Sequence, residues 1–499
     1  MNILLINLPR YKSIPVTREE RCEFISKSRV DTPATLLLMA SLLRDEGHKI
    51  EFIDTNAFDL GYEDISERTI NKKIDCVIFP FNSQIMDHDL EICNLIKKAI
   101  PSCITIGYSW YSRYYAKEIL TEYGNLDIYI IGPTLSVVGN LIECISENGN
   151  LDDVGGIAYR SKDNIIKINN KVDSEIKFND LPMPAYDLLP SFKPYYLINP
   201  FISPYALVYA GKGCPFGCRY CNIAKTKYSG RSADNIIKEM KNPAASRRVS
   251  TSIYQPLQLQ PCGKPQGIFQ LKMLKRVGNV KYVWFFDEIF TINRKRVVEV
   301  CERILEEDID IKWFCDARVD LVDGELLKIM RKGGCIGISY GVESGSQKIL
   351  NNMKKGNTVE EAKNVLIWTR KAHIPIQCNL ILEFIGEDEE TLKETESFIR
   401  DTLPERLQIG IINAKPGTEF TKLAIENKWV ENLDLNWKRH LTVGLGLKNY
   451  EPFNLDLNTE IIKIKRLLIY NPKWWKVCVN SLIRNRKLIL PAVLGRFYL

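Results

Sequence analysis

Short apolar runs alternate with helix-period segments along most of this chain, and that alternation limits its fold more than any other feature. Residues 2–8, 49–53, 75–79, 103–107 and 128–132 read as strands. Residues 35–46 and 87–99 have helical periodicity and close near Gly47 and before Pro101. This order predicts a parallel sheet with helices on both faces, and such sheets hold ligands at the carboxyl ends of their strands. A second series begins near residue 203, with strands expected over 205–210, 282–286, 311–315, 336–342, 376–384 and 407–412. Helices are expected between them, over 294–307, 324–331 and 359–372. Repeated β/α units predict a barrel, partial or full, with its chemistry at the strands' C-terminal ends.

The expected fold class is therefore α/β, and 499 residues are too many for one ordinary core. An N-terminal open, doubly wound parallel sheet is expected over 1–150 and a connector over 151–200. A partial (β/α)6 barrel follows over 201–425, then a helical, basic C-terminal region over 426–499. The connector includes a small hairpin near 158–170 and the Pro-punctuated segment 181–187. Residues 241–270 break the barrel series. They contain Pro243, Pro256, Pro261 and Pro265 with five glutamines, and no acid occurs between Glu239 and Asp287. A loop this long is either a disordered insertion or a functional lid.

Three of the 14 cysteines stand apart: Gly211-Lys-Gly-Cys214-Pro-Phe-Gly-Cys218-Arg-Tyr-Cys221 follows the first strand of the second series. Three thiolates spaced C-x3-C-x2-C on one loop suit a cubane [4Fe–4S] cluster and leave its fourth iron open to a substrate's amino and carboxylate groups. The glycines let the backbone turn sharply. Structural zinc needs four ligands, and none of the four histidines, His48, His88, His373 and His440, is near in sequence. A redox Cys-x-x-Cys pair accounts for two of the cysteines, not three. Most of the others, Cys76, Cys93, Cys103, Cys144, Cys301, Cys335 and Cys378, read as small buried hydrophobes of a reducing compartment.

The loop resembles the signature of the radical S-adenosylmethionine (SAM) superfamily. Later segments resemble its subfamily with an N-terminal cobalamin-binding domain: Trp284-Phe-Phe-Asp287, Cys315-Asp-Ala-Arg318, Gly341-Val-Glu343-Ser344-Gly345 and Lys415-Pro-Gly417. The resemblance implies reductive cleavage of SAM to methionine and a 5′-deoxyadenosyl radical. It implies Cys214, Cys218 and Cys221 as catalytic cluster ligands, with Tyr220, Asp287, Arg318, Glu343 and Ser344 as cofactor-binding residues. It further implies cobalamin as a cofactor and an external one-electron reductant of ferredoxin or flavodoxin type. The segment Phe384-Ile-Gly386-Glu departs from the family's Gly-x-Pro-Gly-Glu-Thr turn: on this reading Gly386 survives, while the proline and second glycine do not.

In the N-terminal half the segments 29–38 and 47–54 resemble the family's opening helix and second strand, and the Asp-x-His-x-x-Gly motif is absent. His48 and His88 read as ordinary residues. Where the family has a Gly-Gly pair and a Gly-Glu-x-Glu turn, this chain has Gly107-Tyr-Ser-Trp110 and Gly132-Pro-Thr-Leu135. Two readings stay open: a cobalamin-binding domain, or a retained fold that has lost its ligand.

The net charge of +7 is too mild for this length to indicate a nucleic-acid partner, and its basic excess is concentrated near the C-terminus. After Glu460 no acid occurs, while lysines and arginines stand beside tryptophans and aliphatics. This pattern suits either a helical cap on the barrel or an interfacial segment on anionic lipid. No signal peptide or spanning segment is expected, so the expected location is cytoplasmic, with peripheral contact at the inner membrane face if the tail is interfacial. The expected substrate is a small molecule or lipid. The expected activity is cobalamin-dependent methylation, or a related modification, of an unactivated carbon. The alternatives are radical chemistry without cobalamin, and a non-catalytic iron–sulfur protein whose barrel is disrupted by 241–270.

Overall fold

The structure, a computed structural model, describes residues 1–20, 22–65, 73–110, 112–161, 163–172, 176–197, 202–245, 280–429 and 457–484. The expected insertion from 246 to 270 and the stretches 430–456 and 485–499 of the C-terminal region lie outside the described residues. The chain divides into two compact units. One is Met1–Val208 with Asn235–Val283; the other is Tyr209–Asp234 with Trp284–Leu499.

The first unit is built on a seven-stranded sheet. Its order is Lys49–Asp54, Asn2–Asn7, Cys76–Pro80, Ile104–Tyr108, Ile128–Ile130, Ile157–Arg160 and Ile166–Asn169. The first five strands are parallel. Asn2–Asn7 and Cys76–Pro80 are near-continuous apolar runs because both faces of a parallel sheet are covered. The last two strands pair antiparallel. The hairpin that the sequence places in the connector thus extends the N-terminal sheet. The strand order reverses between Asn2–Asn7 and Cys76–Pro80, which puts the ligand crevice at their carboxyl ends.

A second hairpin, Val16–Glu19 with Cys22–Ile25, lies between the first strand and the helix Ala34–Asp45. Sequence periodicity does not announce it, because its buried residues include Thr17, Arg18, Glu19 and Glu20. Their burial is explained by their hydrogen bonds, described below.

The six strands expected after residue 203 form one sheet in chain order: Tyr205–Val208, Tyr282–Phe285, Lys312–Arg318, Cys335–Glu343, Ile376–Leu382 and Arg406–Ile411. The last four pair in parallel. Among the intervening helices, Val359–Lys371 and Glu389–Thr402 start in capping boxes, Thr358 with Glu361 and Asp388 with Thr391. The described residues of the C-terminal region form the helices Leu457–Ile469 and Pro472–Arg484. Ile464, Leu468, Trp474 and Cys478 are buried, and the Trp474 indole donates to the Pro404 carbonyl at 2.9 Å.

Candidate active site around the cysteine loop

The cysteine loop leaves a two-residue ladder in which Gly211 and Lys212 pair with Gly230 and Ser229. Gly213 then turns at φ +95°, and a Cβ on it would meet the Lys227 carbonyl oxygen at 2.1 Å. Only glycine fits there. The Gly213 amide donates to Glu288 at 3.1 Å and the Cys214 amide to Thr226 Oγ1 at 2.9 Å. Farther along, Arg219 donates to Glu419 at 2.9 Å and to the Asn352 carbonyl at 3.0 Å. The loop is thus pinned at its start to Glu288 and Thr226 and farther along to the helices Glu419–Glu426 and Gln347–Asn352 of the same unit.

Cys214 and Cys218 are buried, Cys221 is half-buried, and all described cysteines are free thiols. Burial pushes the Cys214 thiol up, and the Cys221 thiol up to about 12. They are therefore protonated at neutral pH until a metal displaces the proton. Among the described residues no three Cys, His, Asp or Glu side chains converge on a single ion. A cubane does not require that, since each cysteine ligates a different iron. The donor set (three thiols, one loop, a glycine turn) fits such a cluster.

Three of the five expected cofactor residues gather at this loop. Arg318, at the end of its strand, lies over the Phe216 ring at 3.7 Å and points Nη1 at Cys218 Sγ, 3.8 Å away. Its other donors bind Asp320 at 2.9 Å and the Lys355 carbonyl at 2.7 Å. Glu343 ends the strand Cys335–Glu343 with φ +71°, a left-handed conformation that a non-glycine residue holds only under constraint. Its carboxylate accepts from Lys355 Nζ at 2.9 Å. Lys355 is itself buried and stands 3.3 Å from the Tyr220 hydroxyl. Burial and the neighbouring Glu343 push the Tyr220 phenol up.

The other two expected residues sit at strand ends but are engaged locally. Asp287 accepts from the Ala210 amide at 2.7 Å and pairs with Arg296 at 3.3 Å. Burial raises its carboxyl to about 6 against the pull of Arg296. Arg296 also binds the Ala210 carbonyl at 2.7 Å and the Tyr228 hydroxyl at 2.5 Å. This pair shapes the approach to the loop. Ser344 accepts from the Ser346 amide at 3.1 Å and lies 3.3 Å from Thr395 Oγ1, fixing the turn before the helix Gln347–Asn352. In the turn after Ile376–Leu382, Glu383 (φ +64°) and Gly386 (φ +82°) are the left-handed positions. Gly386 is therefore the second glycine of the resembled turn, and Glu383 stands where the first would be. Glu387 is buried; it accepts from the Glu383 amide, and its other oxygen has no hydrogen-bond partner among the described residues.

Sequence reasoning missed Lys355. A lysine in Lys354-Lys355-Gly356 after a short helix resembles a solvated end; the available signal was Gly356, at φ +81°, closing a tight turn.

In the first unit the hairpin Val16–Ile25 supplies the polar groups at the sheet's carboxyl edge. Arg18 is buried after the first strand, donating to the Leu8 and Pro9 carbonyls at 2.8 and 2.7 Å and to both Asp89 oxygens at 2.7 Å. Glu19 accepts from the Thr35 amide, Glu20 from the Thr134 amide, and Glu23 from Ser83 and Ser109. Carboxylates thereby occupy the starts of two helices, Ala34–Asp45 and Thr134–Ser146, where a phosphate would otherwise bind. Among the described residues the buried Tyr108 hydroxyl has no hydrogen-bond partner. Buried carboxylates and an unsatisfied phenol suit a ligand rich in neutral amides, as a corrin is. Trp110 instead lies under Arg113, 3.6 Å from its guanidinium carbon. His88 bonds Asp89 at 3.0 Å and His48 the N-terminal amine at 3.3 Å, so both make ordinary internal contacts.

The family model described as "Radical SAM superfamily" matches residues 269–399. An uncharacterized methyltransferase of Pyrococcus horikoshii is 24% identical over 421 residues, 83% of this chain and 83% of the relative. Among solved structures, the radical SAM methyltransferase TsrM of Kitasatospora setae, with cobalamin and a [4Fe–4S] cluster bound, superposes with a TM-score of 0.64. The identity is 14%, and the match covers 87% of this chain and 79% of TsrM. The cobalamin-dependent radical enzyme OxsB, with aqua-cobalamin and SAM bound, gives a TM-score of 0.63 at 18% identity. This match covers 93% of this chain but only 60% of OxsB. Residues 269–399 are thus similar to the radical SAM superfamily, and the chain shares the two-part fold of TsrM and OxsB.

Proposed function

We propose that Cys214, Cys218 and Cys221 hold a [4Fe–4S] cluster for the reductive cleavage of SAM, and that the chain modifies an unactivated carbon of a small-molecule or lipid substrate, by methylation with cobalamin carried on the first unit. The observation that carries this reading is the loop itself: three free thiols turned by Gly213, with Arg318 beside Cys218. When bound, these groups supply a 5′-deoxyadenosyl radical that removes hydrogen from the substrate, and a methyl group to replace it. The protein's share is placement and exclusion. Arg318 donates toward a ligating sulfur, which favours the more negative, reduced state of whatever that sulfur holds. Arg219 and Glu288 keep the loop from shifting. Tyr220 packs its ring against Phe384, 6.3 Å between centroids, and so fixes the backbone next to Cys221. An external one-electron reductant of ferredoxin or flavodoxin type is required.

The test is anaerobic reconstitution with a strong reductant, SAM and cobalamin. Formation of 5′-deoxyadenosine together with bound cobalt is expected. Full iron without 5′-deoxyadenosine would remove the enzymatic reading. Radical chemistry without cobalamin is the second reading, favoured by Arg18, whose guanidinium already occupies the Leu8 and Pro9 carbonyls after the first strand. Intact SAM cleavage with no cobalt retained would establish it.

No helix among the described residues is long and apolar enough to cross a membrane. The C-terminal helices nevertheless expose Ile462, Ile469, Tyr470, Trp475 and Val479 among lysines and arginines. This supports peripheral contact with an anionic membrane surface at the cytoplasmic face. Flotation with anionic but not neutral vesicles is the expected result, and no flotation with either would dismiss the idea.

A further inference from the structure

The segment 211–233, which carries the cysteine loop, holds Lys212, Arg219, Lys225, Lys227 and Arg231 and no acid. Two of these cations have no role in the reading above. Lys225 and Lys227 are exposed, and among the described residues neither ammonium has an ion-pair or hydrogen-bond partner. The acids near the loop are already bonded elsewhere. Glu419 is shared by Arg219 and Lys354, Asp320 pairs with Arg318, and Glu288 accepts from the Gly213 amide. Both lysines lie against the cysteine-bearing stretch. The Lys225 amide donates to the Phe216 carbonyl at 2.8 Å, and Lys225 itself sits at φ +61°, an uncommon conformation for a residue with a side chain. Its side chain runs over Gly217, between Cys214 and Cys218: a Cβ on that glycine would lie 3.2 Å from Lys225 Cε. The Lys227 carbonyl faces Gly213, the residue before Cys214. Within the same stretch Pro215 is exposed, and Phe216 and Gly217 are half-buried.

Electron transfer weakens steeply with distance, so a protein donor must seat where the path to the three cysteines is shortest. The exposed stretch 215–217 offers that path, with two unpaired cations beside it. Small one-electron donors of the ferredoxin and flavodoxin type are acidic proteins. Exposed, unpaired lysines steer such a partner to the surface and fix its register there. We infer that Lys225 and Lys227 form the docking surface for an acidic one-electron donor protein. The donor is oxidised by one electron, which passes inward through 215–217 to the group held by the cysteines, and no atom is exchanged. This rests on the SAM-cleaving function proposed above, which requires that electron.

The experiment uses anaerobically reconstituted full-length protein, with a bacterial flavodoxin as the probe and iron counted in each sample. Binding of the oxidised flavodoxin is measured by calorimetry at low and high salt. The double variant K225E/K227E should bind about tenfold more weakly at low salt, as expected for two surface charge contacts, and the difference should shrink as salt rises. A carbodiimide, which joins a lysine amine to a carboxylate with loss of water, should cross-link the flavodoxin to Lys225 or Lys227. Formation of 5′-deoxyadenosine driven by reduced flavodoxin should fall in parallel. Formation driven by reduced methyl viologen, a small cation, should not fall. K225R/K227R, which keeps both charges, should behave as the natural protein. No flavodoxin binding by the natural protein, equal binding by K225E/K227E, equal loss with both reductants, or loss of iron in that variant would overturn the assignment. Natural protein that takes up no iron, or forms no 5′-deoxyadenosine even with methyl viologen, would instead refute the function on which the assignment rests.

Discussion

Gly213→Ala is the substitution whose consequence follows most directly from backbone geometry. At φ +95° an L-residue is strained by about 1–2 kcal/mol. The added Cβ would also stand 2.1 Å from the Lys227 carbonyl oxygen and 2.8 Å from its carbon, both backbone atoms that cannot rotate aside. Relieving that overlap requires the two chain segments to part by about 1 Å, well outside the roughly 0.5 Å within which a ligand set must be held. The Gly213–Glu288 bond and the short ladder to Ser229 and Gly230 should fail together. We expect a loss of about 2.5–5 kcal/mol in local stability, from strain plus a broken charge-assisted hydrogen bond. Iron after reconstitution should drop to under half that of the natural protein. Gly217→Ala is the matched control: its Cβ would meet only the end of the Lys225 side chain, at 3.2 Å, and it should load normally. The assay is iron and sulfide counting with thermal unfolding. Full iron and an unchanged melting point in G213A would refute the argument.

Two further outcomes follow from buried charges. Arg18→Met strands Asp89 with both side chains of the pair fully buried, so a destabilisation of about 3–5 kcal/mol is expected by denaturant unfolding. Burial raises the Asp89 carboxyl, but Arg18 and hydrogen bonds outweigh that and hold it below its ordinary value, so the pair's stabilisation is present at neutral pH and is lost as pH falls through the lowered pKa. A variant as stable as the natural protein near pH 7 would contradict this. Glu387 behaves oppositely. Burial raises its carboxyl from 4.5 to about 7, so the folded state binds the extra proton and stability falls as pH rises between those values. Glu387→Gln should therefore stabilise the protein by up to roughly 3 kcal/mol near pH 8 and scarcely at all near pH 5. Equal effects at both pH values would show that the carboxyl is not titrating as its burial demands.

Much of the fold was legible because parallel strands are buried on both faces and announce themselves as unbroken apolar runs. All six strands expected after residue 203 occur within a few residues of their predicted bounds. The hairpin Val16–Ile25 was not legible: Arg18, Glu19, Glu20 and Glu23 look like surface, and only the backbone and side-chain partners they bond explain why they are inside. The candidate site was partly legible. A resemblance read along the chain identifies strand-end positions, and Tyr220, Arg318 and Glu343 do gather at the cysteine loop. It does not reveal what each side chain is bonded to, and so Asp287 and Ser344 proved to be engaged with neighbouring turns. Lys355 was invisible because nothing in a lysine's sequence context distinguishes a buried ammonium from a solvated one.

The central claim is a cluster with three protein ligands and one open iron. Mössbauer spectroscopy of the iron-57-reconstituted protein, recorded with and without SAM, tests it most directly. The claim predicts a four-iron cluster in which SAM shifts one iron in four and leaves the other three alone, with the signal abolished when Cys214, Cys218 and Cys221 are changed to alanine. Four irons that do not respond to SAM, or the same cluster surviving without the three cysteines, would contradict it.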